Sequence, residues 1–192
     1  MESNTLFSKF YYIWYVNRFY LNPYAMIIRA TSKLLNIARV VPVKNLSSFD
    51  GPLPGEWYAS LVTTGRKGGS AIHFVHNPTM LSVVMLGRSL NRALEVFPSR
   101  AAALLRRYGF EELVDKFEFS SPIEIYTTNN RSILANMNQM KFSIEWEFAM
   151  VEEVEPAVLN RIENHMIKDL IGGKIAKGQD YIQPLERLKE LL

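Results

Sequence analysis

The chain has 192 residues and no cysteine. That excludes a disulfide scaffold, thiol catalysis and any thiolate-held zinc or iron–sulfur centre, and it fits a reducing compartment. Histidine is scarce, with three in all. His73 and His76 stand three apart in a stretch read as a strand and its turn, which puts their side chains on opposite faces. Without a third ligand they form no metal site, and no metal or other cofactor is expected. His165, beside Glu163 and Asn164 and near Lys168, reads as an exposed helical residue. Long apolar runs are missing too. The aromatic stretch at residues 1–25 is broken by Lys9, Asn17, Arg18, Asn22 and Pro23, well short of the ~20 residues of a membrane span.

Signature motifs are equally few. Gly65-Arg66-Lys67-Gly68-Gly69 lacks the spacing and the following helix of a phosphate loop, and reads as a hairpin tip. There is no nucleophile elbow, zinc-protease helix, EF-hand loop or dinucleotide fingerprint. Glu145 and Glu147, two apart on a helix, cannot share a face as a carboxylate pair.

What is present is an uneven charge distribution. Residues 1–110 hold 13 Lys/Arg against 4 Asp/Glu, and residues 111–192 hold 9 against 15. The densest basic stretch is Arg88, Arg92, Arg100, Arg106 and Arg107. Such a face can meet phosphate, or it can pair with the acidic second half of the same chain. Nine of the 23 aromatic residues fall in residues 1–25. An arm outside the native domain, a packing arm and an interfacial contact all fit that composition, the first of them best.

From Met26 the pattern is that of one α+β domain over residues 26–192. Residues 26–30 read as a strand, and Thr31 or Ser32 can cap a helix to Ala38. Residues 40–56 read as a loop rich in proline and glycine. Strands are expected from Trp57 to Thr64, Ala71 to Val75 and Met80 to Leu86, as an antiparallel meander whose third strand is central. Helices follow at 89–96, 101–108 and 110–117, then a strand at 123–127. The strongest helix spans about 131–151. Its stripe of Ile133, Met137, Met140, Ile144, Phe148 and Val151, with Phe142 and Trp146 on another side, predicts burial on two faces. A helix over 156–170 breaks at Gly172-Gly173, and Pro184 opens a last helix to Leu192. The expected architecture is an antiparallel sheet of four or five strands packed against the long buried helix, with flanking helices.

The most distinctive segment is Thr127-Thr128-Asn129-Asn130-Arg131-Ser132, between a strand and the long helix. Asn129 or Asn130 can cap that helix. The helix dipole, its free N–H groups and Arg131 would then favour an anion. Asn129, Asn130, Arg131 and Ser132, with Arg29, are the candidate anion- or partner-binding residues. Asn136 and Asn138 interrupt the same helix, either as a polar network behind the site or as exposed residues.

Several of these pieces resemble an uncharacterised bacterial domain-of-unknown-function family. They are Met26-Ile-Ile-Arg-Ala-Thr-Ser-Lys-Leu-Leu, Glu56-Trp57-Tyr58-Ala59, Asn77-Pro78-Thr79, Thr128-Asn129-Asn130-Arg131-Ser132-Ile133-Leu134 with Met137-Asn138, and Pro184-Leu185-Glu186-Arg187-Leu188. The resemblance spans about residues 26–192, favours Met26 as the natural start, and implies no activity, cofactor or catalytic residue. The expected function is a bacterial cytoplasmic, non-catalytic binding module that meets a protein or nucleic-acid partner through the Arg88–Arg107 stretch. The alternative is a small enzyme acting on a phosphate-bearing substrate through Arg29, Arg131, Asn130 and His73.

Overall fold

A computed structural model of the chain describes residues 25–44, 56–117, 119–176 and 179–192. The expectation for the aromatic N-terminal segment therefore lies outside the described residues, apart from Ala25, and so does most of the expected loop at 40–56. β1 (Met26–Ala30) leads into α1 (Ser32–Ala38). Thr31 caps α1 by accepting from the Leu34 N–H at 3.4 Å, and Arg39 ends it in the left-handed region at φ 55°. β2 (Trp57–Thr63), β3 (Ser70–His76) and β4 (Ser82–Leu86) form the expected meander. Gly65 and Gly68, at φ 73° and 72°, shape its first turn, and the Asn77–Pro78 peptide in the second is cis.

The domain is α+β, and its main sheet has five strands in the order β4-β3-β2-β1-β5, with β5 at Ile123–Thr127. The pairings β2–β3 and β3–β4 are antiparallel, whereas β1 pairs in parallel with both β2 and β5. The sheet is thus half meander and half parallel. β4 lies at an edge, not at the centre. Its Val83 and Val84 are buried because helices cover it: α2 (Leu90–Arg107) on one side and α5 (Pro156–Met166) on the other. One backbone donor of that edge is also engaged by a side chain. Glu163 of α5 is buried and accepts from the Val84 N–H at 3.1 Å, while Arg100 of α2 donates to both its oxygens at 2.8 Å. An exposed strand edge invites pairing with another chain, and this carboxylate removes one such donor. Burial raises the Glu163 pKa, against the opposing pull of Arg100 and the Val84 N–H.

Sequence breaks mislead at two places. Pro98 sits inside a single 18-residue α2 and does not divide it. Proline there forfeits one intrahelical bond, but the apolar face on both sides of it, including Leu94, Phe97, Ala101 and Leu105, is buried and holds the helix together. Gly172-Gly173 lies in a strand, since β6 (Ile171–Ala176) and β7 (Gln179–Ile182) form a small antiparallel hairpin. The helix before it ends at Met166, short of residue 170.

Two cores flank the main sheet. On one face Met26, Ile28, Trp57, Ile72 and Phe74 pack with α1, α2, α3 (Glu111–Lys116) and Leu188 of α6 (Pro184–Lys189). Phe97 anchors this core, stacked on Phe74 at 4.3 Å between ring centroids and edge-on to Trp57 at 4.9 Å. On the other face Tyr58, Val62, Ala71, Val75 and Val84 meet α5, the small hairpin and α4 (Arg131–Ala149). α4 buries Ile133, Met137, Met140, Ile144 and Phe148, the stripe its sequence predicts. At about 1.5–3 kcal/mol per large apolar side chain, that stripe is the main attachment of α4 to the sheet. The second apolar face is not buried: Phe142 is 72% exposed and Trp146 65%.

Candidate functional site

The parallel half of the sheet places the Asn-Asn-Arg segment. β1 and β5 are parallel neighbours in the register Ala30↔Thr127, so the segments after them leave from the same end of the sheet. α1 then packs in one core and α4 in the other. Adjacent parallel strands whose helices depart to opposite faces leave a crevice outside their carboxyl ends. Residues 128–132 stand there.

A row of polar side chains lies at this end of the sheet on its α4 side. Arg29 is buried on the interior strand β1, and its Nε donates to Glu56, also buried. The other Glu56 oxygen accepts from Asn77 Nδ2 at 2.9 Å. Arg29 Nη1 reaches the Thr127 carbonyl at 3.4 Å, and the guanidinium lies 5.9 Å from the centroid of the Tyr126 ring. Tyr126 donates to Glu124 at 2.5 Å, and burial, this hydrogen bond and the carboxylate charge push its hydroxyl up to about 12. Tyr58 donates to Asn129 Oδ1 at 2.7 Å. Burial, and then the Glu56 charge, raise the Tyr58 pKa against the opposing Arg29, so it remains a neutral donor.

Each expected site residue now has a place. Asn130 is the N-cap of α4, and its Oδ1 accepts from the Ser132 and Ile133 N–H groups at 3.0 and 3.2 Å. Those two donors are used, so the start of the helix offers an anion mainly its dipole and Arg131. Arg131 is exposed, and its side chain makes no hydrogen bond or ion pair with another described residue. Asn129 is tied to Tyr58, and Ser132 is partly buried on the first turn. Arg29 belongs to the same cluster through Thr127, but its charge is answered by Glu56. Asn136 is buried with Nδ2 unpaired, whereas Asn138 is exposed. Replacing Asn130 by alanine is expected to lower stability by about 1 kcal/mol. Arg131→Ala is expected to change it by less than about 0.5 kcal/mol, because an exposed cation adds little to folding. Urea denaturation of the two variants beside wild type checks both values.

The remaining candidates do not converge here. His73 and His76 point to opposite faces of β3, as their spacing predicts, and both are buried. Of the basic stretch, Arg100 is locked on Glu163, and Arg107 donates to Asn160 and Asn164 at 3.1 and 3.0 Å. Arg88, Arg92 and Arg106 are exposed. No group of three metal-ligating side chains occurs among the described residues, and no described helix is long and apolar enough to cross a membrane. The sequence reading missed Glu56, Asn77, Tyr58, Tyr126 and Glu124 as partners. The available signal was polar residues at alternate positions of strands that are otherwise apolar.

One further surface emerged only with the fold. The outward face of α4 carries Arg131, Ala135, Asn138, Gln139, Phe142, Trp146 and, just past the helix, Met150, all exposed. Arg131, at the first position, is the one charge among these fully exposed residues, and the half-buried Lys141–Glu145 ion pair flanks them. The fold and site thus define an α+β domain with a polar, crosslinked sheet interior and a long helix that carries an exposed apolar strip. A family model for a domain of unknown function (DUF6933) matches residues 27–187, and the chain belongs to that family. No curated protein matches the chain.

Proposed function

We propose that this chain is a non-catalytic binding module of the bacterial cytoplasm, and that its partner is a protein docked along the outward face of α4. The carrying observation is the stripe of Phe142, Trp146 and Met150, which are 72%, 65% and 64% exposed. These residues stand four apart, one per turn, on one side of a helix whose other side is anchored in the core. Solvent faces of helices are ordinarily charged, and exposed aromatic patches mark interaction sites. Arg131 and the positive end of the helix dipole stand at the other end of this face, which suits a partner whose apolar strip ends in an acidic group.

Two rival readings are weaker. Nucleic-acid binding through Arg88, Arg92, Arg100, Arg106 and Arg107 loses one of its five cations, Arg100, to Glu163, and Arg107 is tied to Asn160 and Asn164 of α5. An enzyme acting on a phosphate-bearing substrate would need Arg29, Asn130 and His73 to face a ligand. Arg29 is paired with Glu56, the Asn130 oxygen is engaged as a cap, and His73 lies in the core against Ser82.

A photo-reactive phenylalanine analogue at Phe142, in cells that make the chain, is expected to yield a discrete adduct with another protein. The same probe at exposed Glu112, on the helix α3 of the opposite core, is expected not to yield it. Adducts absent at Phe142, or identical at both positions, would remove this reading.

A further inference from the structure

Two grooves meet beside the end of β4. One, of about 430 Å³, is lined by Met85, Leu86, Arg88, Arg92 and Val96, among others. The second, of about 350 Å³, includes Leu86, Arg66, Glu152, Glu153 and Val154. Leu86 belongs to both and is 43% exposed. The side chains of Arg88, Arg92, Glu152 and Glu153 are exposed and make no hydrogen bond or ion pair with a described residue. Arg66 shares the acidic groove, but its guanidinium is turned onto the Val151 carbonyl. An exposed leucine therefore stands between a positive groove and one in which two carboxylates outnumber a single, engaged cation.

We propose that two copies of the chain pair at this edge about a twofold axis near Leu86. Arg88 and Arg92 of each copy face Glu152 and Glu153 of the other. A twofold contact uses the same patch on both subunits, so the patch must complement itself. A positive and a negative groove on either side of an apolar centre meet that requirement, and the complement of each groove is the other groove of an identical molecule. The Leu86 side chains fill the centre, and the charges set the register around it. Exposed ion pairs are screened by salt, so the dimer weakens as ionic strength rises. This contact uses none of the α4 docking residues and stands or falls separately from the protein-binding reading.

Sedimentation equilibrium of the full chain tests it. At low salt wild type is expected to dimerise, with affinity falling about tenfold or more in 0.5 M salt. The variant R88E/R92E and the variant E152R/E153R are each expected to be monomeric alone and to form a mixed dimer when combined, with circular dichroism confirming that both are folded. L86D is expected to be monomeric. A wild type that stays monomeric at about 1 mM in low salt, charge-reversed variants that dimerise like wild type, or a mixture that remains monomeric would each overturn the proposal.

Discussion

Acidification from pH 7 to pH 5 is expected to cost the domain about 4 kcal/mol through two side chains, His73 and His76. Both are fully buried, and burial alone holds their imidazoles at about 3, far below the usual 6.5. No opposite charge offsets that burial. His73 Nε2 meets the Ser82 hydroxyl at 3.0 Å and His76 Nδ1 meets the Thr79 hydroxyl at 2.8 Å. The other ring nitrogens, His73 Nδ1 and His76 Nε2, are buried without partners. The His76 ring packs against Trp57 and Phe117, at 5.0 and 4.2 Å between centroids. The sign follows from the depressed folded values. Above pH 6.5 both chains are neutral in either state, and their contribution is fully present. Below pH 6.5 the unfolded chain takes up protons that the folded chain refuses, so stability falls until the pH reaches about 3. Each histidine then contributes a slope approaching about 1.4 kcal/mol per pH unit. Glu163, whose pKa is raised, acts in the opposite direction and offsets a part of the loss. Urea melts at pH 7 and pH 5 measure the effect, and either His73→Gln or His76→Gln should halve it, whatever the variant does to stability at pH 7. A wild-type stability that is flat across this range would mean that the folded protein gives the protonated imidazoles acceptors or water.

Removing Glu56 is expected to destabilise the domain by about 3–5 kcal/mol. The carboxylate answers a buried guanidinium on the interior strand β1 and also accepts from Asn77. Glu56→Ala leaves Arg29 charged without a counter-ion and strips Asn77 of its acceptor, and each buried orphan has its own penalty. Replacing the two charged residues together, Arg29→Met with Glu56→Leu, should be far milder, because the costly state is the lone charge and not the loss of the pair. Denaturant midpoints of the single and double variants distinguish these cases. A loss below about 1 kcal/mol for Glu56→Ala would show that Arg29 escapes to water and that the polar centre of the sheet is soft.

The sequence reveals much of this fold where patterns are local. The capped helix after Met26–Ala30, the meander, the Asn130 cap and the buried stripe of α4 all follow from neighbours within a few residues. What it hides is long-range. Arg29 and Glu56 are 27 residues apart, and Tyr58 and Asn129 are 71 apart, so their partnership appears only when the parallel register of β1 is known. Met80 to Leu86 reads as a central strand because strands covered on both faces look alike wherever they sit in the sheet. Phe142 and Trp146 read as core for a related reason: apolar periodicity marks a helix face without saying whether the chain's own sheet covers it. Their exposure shows that it does not.

The proposed docking face joins this apolar strip to Arg131 at its start. The most direct test is Arg131→Glu in the chain probed at Phe142, with adduct yield and urea midpoint measured on the same protein. A reversed charge at the start of α4 should abolish the adduct and leave the midpoint within about 0.5 kcal/mol of wild type, because Arg131 is exposed and unpaired among the described residues. An undiminished adduct, or a collapse in stability that removes it, would contradict the claim that this helix face receives an acidic-ended protein partner.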